Sequence, residues 1–145
     1  MKKAIKVNAD MLEAFRSGNV YASTMLMGEE LTGEPGTINV NYGVVSPHER
    51  LGGGVHEDAE LYFVFRCGEG AAVVLGEGEE EESCPVKPGD LIYIPGGLFH
   101  WIDNRSCDTE FVIITLWPRQ EQNEMYFVRK DAWGKSYRFK DQKEQ

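Results

Sequence analysis

An antiparallel all-β sandwich or barrel is the fold class this sequence predicts. Sixteen glycines and six prolines punctuate a chain of 145 residues, too many breaks for a helical bundle. The stretch from Thr37 to Val44 alternates strictly, with Ile38, Val40, Tyr42 and Val44 on one face and small or polar residues on the other. Short apolar runs then recur at close intervals, each bounded by turn residues, with no helical periodicity between them.

The elements follow in chain order. Asp10 and Glu13 have capping-box spacing, and Met11, Leu12 and Phe15 share a helical face, so a short N-terminal helix ending before Gly18 is expected. Val20 to Met27 reads as the first strand and Thr37 to Val44 as the next. Leu61 to Phe65 is a continuous aromatic-rich run that suits a buried strand, and Ala71 to Leu75 follows the turn at Gly68–Gly70. The acidic stretch Glu77–Glu82 reads as a solvated hairpin tip, because glutamates that repel one another do not preorganise a ligand shell. Pro88–Gly89 and Pro95–Gly97 frame Leu91 to Ile94. Phe99 to Ile102, Phe111 to Trp117 and Glu124 to Val128 complete the strands, and the polar tail from Lys135 to Gln145 is expected to wrap the surface or fray.

Composition bounds the function. At 41% apolar and 27% charged residues the chain is that of a globular domain, and its length allows one core. With 15 basic and 24 acidic residues the net charge is -9, which repels a nucleic-acid backbone. No apolar stretch approaches the roughly 18 residues of a membrane span, and the N-terminus lacks a secretory apolar segment. Cys67, Cys84 and Cys107 are odd in number and form no CxxC, which fits reduced thiols and a cytoplasmic location. The run Gly52–Gly54 has no following Lys-Ser/Thr, so it does not read as a phosphate loop.

All three histidines, His48, His56 and His100, fall in the middle of the chain. An isolated histidine is more often structural than a ligand, but here carboxylates stand beside one of them. In extended geometry His56, Asp58 and Glu60 share one face. His100 opens another strand just after Pro95–Gly97. If those strands adjoin, two imidazoles and a carboxylate converge. Such a set leaves positions open on Fe(II), Mn, Zn or Ni for water, dioxygen or substrate.

The spacing Gly89-(x)5-Pro95-x-Gly97-(x)2-His100-(x)3-Asn104 resembles the second motif of the cupin superfamily, G(x)5PxG(x)2H(x)3N, at every position. The first motif, G(x)5HxH(x)3,4E(x)6G, is matched in part. His56 takes its second histidine and Glu60 its carboxylate, while Gly54 replaces the first histidine and His48 the leading glycine. Gly68 comes one residue late, which a β-bulge after Glu60 would accommodate. The resemblance implies a double-stranded β-helix, or jelly-roll barrel, over about residues 36–118 of a single domain spanning residues 1–145. It also implies a divalent transition metal (Fe, Mn, Zn or Ni) held by His56, Glu60 and His100. His48 could fold back over the glycine run to replace the missing histidine, and Asp58 stands in if the strand register differs.

The implied activity is that of a metal-dependent enzyme on a small oxygenated metabolite, either a redox-neutral isomerase or lyase or an Fe(II) dioxygenase. Tyr62 and Asp58 are then candidate catalytic groups, with Tyr93 a further pocket hydroxyl. Arg66 either faces an anionic substrate or pairs with a glutamate, and Phe63, Phe65 and Trp117 read as core. The degenerate first motif equally suits a non-catalytic cupin that binds a small ligand for sensing or storage. Cupins commonly pair through N-terminal strands, so the resemblance implies a homodimer through Val20 to Met27.

Overall fold

The structure, a computed structural model, describes residues 3–118 and the backbone of residues 136–138. It is a jelly-roll-like sandwich of two antiparallel sheets. The larger holds β1 (Glu13–Ser17), β2 (Tyr21–Met27), β3 (Asn39–Val45), β5 (Glu60–Arg66), β8 (Leu91–Ile94), β10 (Phe111–Trp117) and β11 (Ser136–Arg138), ordered β11-β1-β2-β3-β10-β5-β8. The smaller holds β4 (Arg50–Gly54), β6 (Ala72–Leu75), β7 (Glu82–Pro85) and β9 (His100–Asp103), ordered β4-β9-β6-β7. Among the described residues no helix is long and apolar enough to cross a membrane.

One core fills the space between the sheets. Val45, Val64, Ile94, Phe111 and Ile113 come from the larger sheet and meet Val73 and Ile102 from the smaller. Each is nearly or wholly buried. At about 1.5–3 kcal/mol per buried side chain, this cluster supplies the main force that holds the layers together. Alternation along each strand explains the choice. Val64 and Tyr62 face the core, while their neighbours Leu61 and Phe63 pair with Tyr93 and Leu91 on the opposite side of the sheet.

The N-terminus departs from expectation. The capping-box residues do not start a helix: Asn8 caps a single 3-10 turn over Ala9–Met11, and the chain then enters β1. A two-turn helix is marginal by itself. Here Phe15 instead pairs with Ser23 of β2 and with Ser136 of β11, so inter-strand hydrogen bonds decide the conformation. The four-residue α1 (Glu29–Thr32) is the one α-helix among the described residues.

The strand expected over Glu124 to Val128 lies outside the described residues. Part of the tail expected to fray or wrap is instead β11. The acidic stretch is the connection of the β6–β7 hairpin, and all of Glu79–Glu82 are exposed. The three cysteines are free thiols. A bulge does fall between Glu60 and Gly68: β10 pairs Val112 with Arg66 and Ile113 with Val64, leaving Phe65 as the extra residue. Phe63 and Phe65 fall on the outward side of the same alternation, Phe65 at 51% exposure, so neither joins the core; the bulge instead turns Arg66, which alternation alone would send inward, to the surface.

Candidate metal centre

Three strand ends build the site. Glu60 is the first residue of β5 and pairs with Ile94, the last of β8. His100 is the first residue of β9, opposite Gly54 on one side and Leu75 on the other. His56 lies two residues beyond β4, on the connection that leads into β5. The turn after β8 holds that connection in place: the Gly97 N–H donates to the His56 carbonyl at 2.8 Å. Beside it, a Cβ built on Gly96 would lie 2.0 Å from the Glu57 carbonyl oxygen, so the two backbones meet only because residue 96 has no side chain. Gly97 itself has φ +82, a left-handed conformation that favours glycine.

His56, Glu60 and His100 bring their ligand atoms within 4.8 Å of one another. Nε2 of His100 is 2.7 Å from Oε1 of Glu60, and Nε2 of His56 is 3.8 Å from the same oxygen. The two imidazole rings stand 5.5 Å apart. Glu60 and His100 are buried, at 4% and 5% exposure. Nδ1 of His100 lies 3.0 Å from the Leu98 carbonyl oxygen, which only accepts, so Nδ1 carries the proton and donates. In the neutral ring Nε2 is then the lone-pair nitrogen turned toward Glu60.

Burial by itself lowers the His100 pKa. The hydrogen bond to Glu60, the Leu98 carbonyl and the Glu60 charge together outweigh it and hold the imidazole above its ordinary value. The cause is plain: a lone pair and a carboxylate oxygen in contact need a positive charge between them, whether a proton or a metal ion. The donor set fits such an ion. Around a metal with bonds of about 2.0–2.2 Å, neighbouring ligand atoms stand about 3–3.5 Å apart, between the 2.7 and 3.8 Å at which the two imidazoles approach Glu60. Apart from these imidazoles, Glu60 Oε1 has no hydrogen-bond partner, as expected of an oxygen reserved for a cation.

The other predicted residues are placed as follows. His48 stands outside the group. It is exposed, its Nε2 is 3.0 Å from Asp108, its Nδ1 faces the Arg105 carbonyl, and it does not fold back over the glycine run. Asp58 is half-buried and is not one of the converging ligands. Tyr62 is buried, with its ring edge-on to His100 at 5.5 Å. Tyr93 is 65% exposed and lines an apolar cleft of about 390 Å3 on the far side of the larger sheet, with Ile38, Leu61 and Leu116. Arg66 pairs with Glu110 at the surface.

Two functional positions escaped the sequence reading. Gly96 sits between motif residues, and its need for a bare backbone comes from a segment some forty residues away. The Leu98 carbonyl carries no side-chain signal at all. Asn104, which ends the second motif, proves to be a clamp: the two hydrogens of its buried Nδ2 are shared among the carbonyls of Val45, Ser46 and Thr109, at 3.3, 3.0 and 3.0 Å.

Comparison with known proteins supports the same architecture. Residues 40–137 match the family described as Cupin. No curated protein matches the chain. Among solved structures, a protein of Photorhabdus luminescens is 23% identical with a TM-score of 0.60, over 90% of this chain and 99% of its own. An oxalate oxidase bound to the substrate analogue glycolate is 24% identical with a TM-score of 0.58, over 72% of this chain and 53% of its own. The vicilin of hazelnut, Corylus avellana, is 20% identical with a TM-score of 0.57, over 74% of this chain and 30% of its own. At these identities the likeness is one of fold.

Proposed function

The chain belongs to the cupin family, and from that premise we propose that it is a metal-dependent enzyme acting on a small oxygenated metabolite. The observation that carries this reading is the convergence of His56, Glu60 and His100 on one point, with a buried carboxylate oxygen left for a cation. These three residues would hold Fe, Mn, Zn or Ni. Such an ion, when bound, acts as a Lewis acid on substrate oxygens or, as Fe(II), supports oxygen chemistry.

The chain's own residues supply the rest. Leu98 fixes the His100 ring through Nδ1, so Nε2 keeps one direction. The Tyr62 hydroxyl and the Asp58 carboxylate are the groups proposed to move a proton. Two reaction classes fit this set, a redox-neutral isomerisation or elimination and an Fe(II)-dependent oxygenation. Oxygen uptake by the Fe(II) protein that is absent with Zn separates them.

Elemental analysis of freshly purified protein tests the reading: about one transition metal per chain supports it, and its absence, with no uptake on reconstitution, overturns it. A second reading, a non-catalytic cupin that binds a small ligand, is favoured by Gly54 at the place of a motif histidine. Ligand binding that survives His100→Ala would favour that module. We further propose a cytoplasmic homodimer joined through N-terminal strands, for which the solution mass is the test.

A further inference from the structure

The run Gly52–Gly54 has no part in the mechanism above, yet two of its glycines differ in a telling way. A Cβ on Gly53 would lie 2.3 Å from the Phe99 ring, so packing excludes a side chain there. A Cβ on Gly54 would meet nothing within 4 Å, and its φ is not left-handed, so neither packing nor backbone demands glycine. Gly54 lies opposite His100 in the β4–β9 pair, just past a register shift that follows Leu51, and its neighbour Gly53 faces Phe99 on the other side. Directly opposed residues of an antiparallel pair project to the same face. The vacant side-chain space at Gly54 is therefore beside His100, on the side of the metal ligands.

Charge restricts what can occupy that space. A divalent cation, one carboxylate and two neutral imidazoles leave a single positive charge. Among the described residues every lysine and arginine is exposed except Arg16, which is half-buried and donates to the Gly18 carbonyl. A ligand with one negative charge is neutralised, whereas a second buried charge has no protein cation to meet it. The wall across the barrel is polar and uncharged: Tyr62, Thr115 and Asn41 stand in register on β5, β10 and β3, all buried.

We propose that Gly54 makes room for the substrate and that this substrate is a singly charged bidentate oxygen chelate, of the 2-hydroxy- or 2-oxo-carboxylate class. This rests on the metal reading given above. The chelating end takes the metal positions on the Gly54 side, and its remaining hydroxyl or carbonyl groups face Thr115 and Tyr62.

The test uses Co(II) as a visible probe. The protein is first titrated with Co(II) alone, then the cobalt-loaded protein with lactate, with malate, and with the 4-amide of malate, which keeps malate's size and removes one charge. Lactate and the amide should perturb the cobalt spectrum, and the amide should bind about tenfold or more tightly than malate. Gly54→Val should keep its Co(II) affinity and bind lactate about tenfold or more weakly. Gly54→His should bind Co(II) more tightly and leave the spectrum insensitive to lactate, which covers the case of a Val variant that fails to fold. With Co(II) bound, malate matching its amide, a lactate-insensitive spectrum in the parent protein, or unchanged lactate affinity in both variants overturns this inference alone. If the parent protein takes up no Co(II), the metal reading falls and the inference falls with it.

Discussion

Oε1 of Glu60 lies 2.7 Å from Nε2 of His100, and that same ring gives its other nitrogen to the Leu98 carbonyl at 3.0 Å. The imidazole is thereby aimed before any ion arrives. The contact between a buried imidazole and a carboxylate oxygen favours a positive charge, which a bound metal ion would supply. Adding Zn(II) or Co(II) should therefore raise the melting temperature, by the equivalent of about 2.7 kcal/mol at a hundredfold excess over Kd. Glu60→Gln should remove most of that shift, and a chelator should reverse it in the parent protein. Calorimetry with and without metal checks each arm.

Asn104 should matter for stability rather than for the ion. All three partners of its Nδ2 are carbonyl oxygens, so the orientation of the amide is set by its surroundings. Asn104→Ala removes two buried N–H donors, at about 1–3 kcal/mol for each carbonyl left unsatisfied. Asn104→Asp should be worse, since a carboxylate would face the same oxygens. Urea unfolding should show lower midpoints for both, with Asp the lower.

Gly96→Ala should act at a distance. The added methyl would be driven into the Glu57 carbonyl, which is backbone and cannot swing aside. The segment that bears His56 must move. The expected result is weaker Co(II) binding, by about tenfold or more, read by spectral titration beside a parent control.

His48→Gly should leave metal affinity unchanged. His48 has φ +64, a conformation costing about 1–2 kcal/mol for a residue with a Cβ. Glycine recovers that strain but loses an exposed contact with Asp108 worth about 0–1 kcal/mol. Equal or slightly higher stability with unaltered Co(II) uptake is expected from paired melting and titration experiments.

Acid should expose the role of Asp103. The hydrogen bond from the Arg105 side chain comes first among the causes that hold its carboxyl below the ordinary 3.8; burial opposes it, and the Arg105 N–H and the charges of Arg105 and Arg50 add to it. A lowered folded-state pKa contributes stability that is complete above the unfolded value. It fades as pH falls through the folded one. The melting difference between the parent protein and Asp103→Asn should be constant from neutral pH to about 4 and shrink below it. Melting curves over that range give the answer.

How much of this was legible beforehand depends on which residues carried a local signal. Gly89, Pro95, Gly97, His100 and Asn104 are fixed in spacing because they bound two successive short strands, β8 and β9, so that stretch could be read directly. His56 and Glu60 do meet, but across a bend at Glu57–Asp58 rather than along the extended strand expected, which is why Asp58 is left out of the group. The N-terminal turn could not be read, because β1 exists through partners on β2 and β11, one of them far along the chain. Phe65 was misread for another reason: an aromatic in a continuous apolar run looks buried until alternation from Tyr62 and Val64 assigns it to the outer face. The surroundings of His48 were likewise hidden, since Asp108 meets it only across the folded chain.

Glu60 belongs to the larger sheet and His100 to the smaller. An ion gripped by both would act as a rivet through the sandwich, so releasing it and parting the layers become one mechanical event. The backbone amides of β5 and β9 should then slow their hydrogen exchange together on loading, although they lie in separate sheets. Metal supply would thus set how long the barrel stays shut as well as whether its chemistry can run.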